Sequence, residues 1–167
     1  MTRTDTPQSW DERATLATFL DYVRAAAVDK CAGVSEEHAR TAYVPSSPLT
    51  TMSALISHLR WVEYSWFETV FLGEKNEGPW KDDPDDPDRE MAADTPLATL
   101  IADYEEQSAR YRDLVAKTDL DATAVRAIRD GRHVTLRWIL MHLVEETARH
   151  NGHLDLLREM ADGTKGT

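Results

Sequence analysis

Residues 135–161 read TLRWILMHLVEETARHNGHLDLLREMA, the longest helical pattern of the chain. Apolar residues recur there at intervals of three and four, as on the buried face of an amphipathic helix. Thr135 stands where an N-cap belongs, and Gly163 follows as a stop signal. The stretch therefore predicts one long helix from Thr135 to Ala161, closed by Gly163.

A second helical pattern lies near the start of the chain. Ser9 as N-cap and Glu12 three residues later fit a capping box, and we expect this helix to end near Cys31 to Gly33. Its predicted apolar face consists of Leu16, Phe19, Leu20 and Val23.

Two more helices are predicted in the middle of the chain. One is capped by Thr50 or Thr51 and runs to about Leu72, where Gly73 stops it. The other begins at Thr95-Pro96, with proline in its first turn. Its apolar stripe consists of Leu97, Leu100, Ile101, Tyr104, Tyr111, Leu114 and Val115.

The connections between these helices differ in composition. The residues Ser35 to Thr41 can add one short helical turn. The segment Glu74 to Asp94 holds several prolines and a run of acidic residues, so it predicts a long loop that crosses the end of the helices. Thr118 to Val134 form another connection, in which Val125 to Val134 can fold as a short hairpin around Asp130-Gly131.

Four amphipathic helices without a convincing strand pattern bury their apolar stripes most simply as a bundle. The chain has 167 residues, which suits one domain spanning residues 1–167. We therefore expect an all-α fold, a four-helix bundle with long crossover loops.

Charge and cysteine content exclude several classes of protein. A formal net charge of −11 without a basic cluster repels phosphate backbones, so we expect no nucleic-acid partner. No apolar stretch approaches the length of a membrane span, and the N-terminus lacks a signal-peptide core, so we expect a cytoplasmic protein without a membrane partner. Cys31 is the only cysteine, which excludes an internal disulfide and a multi-thiolate zinc site.

The last helix carries the residues that point to chemistry. His142, Glu146, His150 and His153 are spaced four, four and three residues apart, so they share one face. Core-type residues project into the same sector as Glu146, namely Ile139, Leu143 and Leu157. A carboxylate that points into the core needs compensation, and a metal ion bound together with His150 one turn away would provide it.

A metal ion would need a further ligand from another helix. His58 lies at the edge of the apolar stripe of the second long helix, and one carboxylate with two imidazoles suits zinc, nickel or ferrous iron while leaving positions open. The residues alone leave an alternative, in which the same side chains form a hydrogen-bonded polar patch beside Arg60 or Arg149. His142 and His153 have weaker claims as ligands.

Several motifs resemble one known superfamily. Ser57-His58-Leu59 and the run from Glu146 to His153 are similar to the DinB-like four-helix metalloproteins, and residues 136–142 look like the subfamily named after a mini-circle protein. The resemblance extends over about residues 10 to 163. It implies that His58, Glu146 and His150 hold a divalent metal, zinc first and nickel or iron as alternatives. Many members have histidine where this chain has Glu146, whereas the related mycothiol-dependent maleylpyruvate isomerase is similar in using glutamate.

The resemblance also implies a class of activity. Several relatives conjugate or rearrange electrophilic small molecules with a low-molecular-weight thiol such as mycothiol or bacillithiol. We therefore expect a metal-dependent thiol S-transferase or isomerase acting on a small electrophile, with mycothiol as co-substrate. The alternative is a non-catalytic metal-binding or stress-related protein that pairs as a homodimer. In the enzyme, His142 or His153 would orient a ligand or move a proton.

Overall fold

The computed structural model describes residues 3–79 and 94–166, and the described residues fold as helices joined by loops. The order along the chain is α1 (Glu12–Cys31), α2 (Glu36–Arg40), α3 (Met52–Tyr64) with a π-helical continuation (Ser65–Phe71), α4 (Leu97–Lys117) and α5 (Leu136–Asp162). The predicted all-α fold is confirmed. No helix in the described ranges is long and apolar enough to cross a membrane.

Contacts between side chains give the directions of the helices. Arg137 at the start of α5 pairs with Glu12 at the start of α1, and Lys30 at the end of α1 pairs with Asp155 near the end of α5. These two helices therefore run parallel. On α4, Arg112 bonds to Asp21 of α1, and earlier in α4 the Tyr104 hydroxyl shares Oε1 of Glu63 with Arg24 of α1, so α4 runs antiparallel to α1.

The α3 helix completes the bundle. His58 lies beside His150, and Trp66 lies beside His142 and Trp138, so α3 is antiparallel to α5 and consequently parallel to α4. Two consecutive parallel helices need a connection that spans the length of the bundle, about 30 Å for the 21 residues of α4. The connection that begins after Phe71 and ends at Leu97 therefore has its two ends at opposite ends of the bundle. That the loop Glu74 to Asp94 crosses the end of the helices stays a prediction. Its course over residues 80–93 lies outside the described residues.

The interior is divided into two apolar clusters by a polar layer. One cluster includes Leu20, Phe67 and Leu140, and the other includes Ile56 and Leu154. Between them lie buried polar side chains from all four long helices: Arg24, Glu63, Gln107, Ser108, Thr147 and Asn151. Glu146 and His150 lie at the same level of α5, next to Thr147 and Asn151.

Helix α1 departs from two predictions. Its N-cap is Asp11, whose carboxylate accepts a hydrogen bond from the backbone N–H of Ala14 at 2.9 Å, so the prediction of Ser9 was wrong. Glu12 does not close a capping box, because its carboxylate pairs with Arg137 on α5. Phe19, predicted on the apolar face, is 40% exposed.

The other predicted helix boundaries agree closely with the structure. Ser35 caps the short α2, Thr51 caps α3, and Thr135 caps α5, which ends at Gly163 with a φ of 77°. Pro96 lies at the N-cap of α4, one position before the predicted first turn. The π-helical form of Ser65–Phe71 was not predicted.

The connection between α4 and α5 folds back on the end of the π-helical segment. Backbone N–H groups of Val125 and Arg126 donate to the carbonyls of Phe71 and Val70, each at 3.0 Å. These bonds satisfy carbonyls that a helix end leaves without partners. The predicted hairpin is present only as a turn around Gly131 with one isolated bridge between Thr123 and Thr135.

Candidate metal centre

Three side chains meet in the groove between α3 and α5. One imidazole nitrogen of His58, one of His150 and one carboxylate oxygen of Glu146 lie within 4.8 Å of one another. Nε2 of His58 is 3.3 Å from Oε1 of Glu146, and Nε2 of His150 is 3.1 Å from the same oxygen. The structure therefore brings together the three residues that the sequence singled out.

The site lies at the rim of the core. The side chains of Glu146, His150 and His58 are 13%, 15% and 29% exposed. On α5, Leu143 and Thr147 are among the fully enclosed positions. Glu146, predicted to point into the core, lies at its edge, with most of its side chain covered. A rim position leaves the cluster open to a small molecule.

Arg149 also contacts the cluster. Its Nη1 is 3.2 Å from Oε2 of Glu146, while its other contacts go to Glu145. Arg60, the other arginine considered for a polar patch, has its guanidinium over the ring of Trp61, 4.6 Å from the centroid. Glu146 is thus held by an arginine through one oxygen and faces both imidazoles with the other.

The surroundings of Glu146 and His150 favour the ionised carboxylate and the neutral imidazole, the forms that bind cations. Burial raises the pKa of the Glu146 carboxyl, but the hydrogen bond from His58 and the charge on His150 outweigh burial and hold the pKa below its usual value. Burial lowers the pKa of His150, and His58 lowers it further, against the opposing pull of Glu146. A carboxylate beside a neutral imidazole is the state in which both can donate electron pairs to a metal ion.

The distances from the Glu146 oxygen to the two imidazoles agree with a tetrahedral metal ion. With bonds of about 2.0 to 2.1 Å to nitrogen or oxygen, ligand atoms on neighbouring corners of a tetrahedron lie about 3.3 Å apart. The two nitrogen–oxygen distances, 3.3 and 3.1 Å, are close to this value. Two imidazoles and one carboxylate on fixed helices therefore match the ligands that zinc takes in sites with an open position.

The other histidines lie around this cluster or far from it. Nδ1 of His153 is 3.3 Å from Nδ1 of His150, but the His153 side chain is exposed. His142 does not join the three and packs against two tryptophans. His133 bonds through Nδ1 to the carbonyl of Ala124, in the connection before α5. His38 lies beside Tyr43, after α1.

Two other features of the described residues can be set apart from the site. Burial raises the pKa of the Cys31 thiol to about 12, so this cysteine stays protonated at neutral pH and is not a nucleophile.

A cavity of about 350 Å³ lies between α1 and α4, away from the α3–α5 groove. Its walls are mostly apolar and include no histidine, so we place the chemistry at the cluster.

Comparison with known proteins gives one family. The model of the mycothiol-S-transferase family matches residues 15–163, from the first turns of α1 to the glycine that closes α5. No curated protein matches the chain significantly. The matched family is DinB-like, which confirms the predicted resemblance. Since the match includes all four long helices and each of His58, Glu146 and His150, the chain belongs to the mycothiol-S-transferase family.

Proposed function

We propose that this protein is a metal-dependent transferase that joins a low-molecular-weight thiol, mycothiol, to a small electrophile. The observation that carries the proposal is the meeting of His58, Glu146 and His150 in an open groove of a chain whose family is named for this transfer. The three residues would hold one divalent ion, with zinc as the ion that best suits the donor set.

Each residue has a defined task in this proposal. His58 brings a nitrogen from α3, and Glu146 and His150 bring an oxygen and a nitrogen from successive turns of α5. Arg149 occupies Oε2 of Glu146 and so keeps Oε1 turned toward the imidazoles. A divalent ion bound here would act as a Lewis acid that lowers the pKa of a thiol and favours its thiolate form.

The transfer itself is a substitution at carbon. A bond forms between the thiol sulfur and the electrophilic carbon, and the bond from that carbon to its leaving group breaks. The leaving group departs with the electron pair, and the thiol proton passes to solvent. No redox partner is needed, and the buried Cys31 takes no part.

Metal analysis tests the first half of the proposal. We expect about one equivalent of divalent metal per chain in the purified protein, measured by mass spectrometry, and loss of that metal in His150→Ala and His58→Ala. His133→Ala is the matched control, since it removes an imidazole that lies outside the cluster, and it should keep the metal. Metal-free wild-type protein that takes up no zinc, nickel or iron would contradict the proposal.

Thiol consumption tests the second half. Metal-loaded protein should accelerate the reaction of mycothiol with a chlorodinitrobenzene, and His150→Ala should lower kcat/KM by about a hundredfold or more, because metal stabilisation of charge contributes several kcal/mol. Metal-loaded wild-type protein that accelerates no such reaction with mycothiol or another low-molecular-weight thiol would overturn the transferase assignment.

A further inference from the structure

Three aromatic rings form a cluster in the same groove as the metal centre. The ring centroids of Trp66 and Trp138 are 5.1 Å apart, and His142 lies 4.9 Å from Trp66 and 5.0 Å from Trp138. The rings of Trp138 and His142 are nearly parallel, at 15°, whereas Trp66 meets His142 edge to face at 71°. The cluster is therefore ordered by ring-on-ring contacts across α3 and α5.

The cluster begins one helical turn from the metal centre. His142 precedes Glu146 by four residues on α5, a rise of about 6 Å along the helix, and Trp138 lies one turn further away, about 12 Å from the level of Glu146. Trp138, His142, Glu146 and His150 follow one another at intervals of four, so they form one row on the helix. Because α3 is antiparallel to α5, its residues follow this row in the opposite direction. His58 lies beside His150, and Trp66 lies beside His142.

Trp138 is open to solvent as well as packed. Its side chain contacts the rings of Trp66 and His142, yet the residue remains 42% exposed. Trp66 stands on the π-helical segment, a backbone form that is frequent at functional sites. The described structure thus presents an exposed indole, fixed in orientation, beside a site proposed to activate a thiol.

The chemistry of these rings selects one class of ligand. The faces of indole rings carry negative charge density and attract the face of an electron-poor ring or the positive edge of another ring. Electron-poor aromatic rings with a leaving group are also the aromatic compounds that thiolates substitute most readily. The ring that would stack best is therefore the ring that the thiol would attack.

We propose that Trp66, Trp138 and His142 bind the aromatic ring of the electrophile and so give this protein a preference for electron-poor aromatic substrates. The inference rests on the proposed transferase function for its biological meaning, but the binding it describes needs neither metal nor thiol. The ring lies across the exposed parts of Trp138 and His142, and its reactive carbon points along the row toward Glu146.

Binding of meta-dinitrobenzene, which lacks a leaving group and cannot react by this substitution, tests the inference. Isothermal titration calorimetry should give about tenfold weaker binding to Trp138→Leu than to the wild-type protein, and Trp138→Phe should bind nearly as well as wild type. Trp10→Leu is the matched control, because Trp10 is 82% exposed and lies outside the cluster. Thermal melts should show that Trp138→Leu remains folded.

Turnover then separates a role in recognition from a structural one. For Trp138→Leu we expect the KM for a chlorodinitrobenzene to rise about tenfold with kcat nearly unchanged, while kcat/KM for an aliphatic epoxide stays within about twofold of wild type. The inference would be overturned if Trp138→Leu lost kcat/KM equally with both electrophiles. It would also be overturned if Trp138→Leu bound dinitrobenzene as tightly as Trp10→Leu does. Weaker dinitrobenzene binding in a protein that transfers no thiol would support the aromatic site and reject only the proposed function.

Discussion

Arg24 and Glu63 form an ion pair inside the bundle, between its two apolar clusters. Nε of Arg24 donates to Oε1 of Glu63 at 2.8 Å, Nη2 donates to Oε2 at 2.7 Å, and the Tyr104 hydroxyl donates to Oε1 at 3.1 Å. The side chains are 5% and 1% exposed. A pair removed from water in this way depends on both partners, because either charge alone would be buried without compensation.

Removal of one partner should be costly. We expect Glu63→Gln to lower the free energy of unfolding by about 3 kcal/mol, since Arg24 would keep its charge and lose its main partner. The double variant Arg24→Met with Glu63→Leu should recover most of this loss, because apolar side chains of similar volume replace both charges. Urea denaturation measures both values, and a double variant no more stable than the single one would contradict this account.

At the candidate metal centre, the chemistry of Glu146 depends on the position of its side chain. Glu146 lies at the rim, where Arg149 holds one of its oxygens, and not among the enclosed side chains of the core. A carboxylate in this position is ionised without a metal ion, so metal binding is not required to stabilise its charge. The feature of the structure that supports a metal ion is therefore the approach of His58 and His150 to the same oxygen of Glu146.

At the scale of the helices, the end of the π-helical segment is closely packed against the connection that follows α4. Gly73 has a φ of 76°, and a methyl carbon added to it would lie 2.5 Å from Cγ1 and 2.9 Å from Cβ of Val125. Val125 cannot move away easily, because its backbone N–H bonds to the carbonyl of Phe71. Gly131 has a similar φ of 84° but open space around it.

These two glycines form a matched pair for mutation. Gly131→Ala should lower the free energy of unfolding by about 1 to 2 kcal/mol through backbone strain alone. Gly73→Ala should cost about 1 to 3 kcal/mol more, because the added methyl group also overlaps Val125. Adding Val125→Ala to Gly73→Ala should relieve part of the extra loss. Equal destabilisation by the two single variants in chemical denaturation would disprove the close contact.

For the molecule as a whole, the proposed metal ion would link two helices that are far apart in sequence. His58 belongs to α3 and the other two ligands belong to α5, so an ion bound to the folded state alone adds to global stability. At a free metal concentration of a hundred times Kd, the gain is about 2.7 kcal/mol.

Removal of the ion should therefore lower Tm. For a chain of this size we expect a decrease of about 5 to 10 °C when a chelator is added to the metal-loaded protein, measured by calorimetry. His150→Ala should melt at the same temperature with and without chelator, whereas His133→Ala should respond like the wild-type protein. An unchanged Tm on complete removal of bound metal would show that the ion does not bridge α3 and α5.

The sequence by itself determined the helices and most of their ends, because apolar periodicity, Thr51, Thr135 and Gly163 act within a few residues of where they stand. It also singled out His58, Glu146 and His150, although their role as ligands remains a prediction. The N-cap at Asp11 was missed because Ser9 and Glu12 also fit the spacing of a capping box. In the structure Glu12 pairs instead with Arg137, which is far along the chain.

Only the tertiary structure decided the features that depend on contacts between distant segments. The parallel course of α3 and α4, the polar layer around Arg24 and Glu63, the rim position of Glu146 and the aromatic cluster at Trp138 each require two or more helices to pack. A helical pattern fixes which residues share a face, but the rotation of that face is set by the neighbouring helices. For α5, that rotation decides that Glu146 lies at the edge of the core, with part of its side chain exposed.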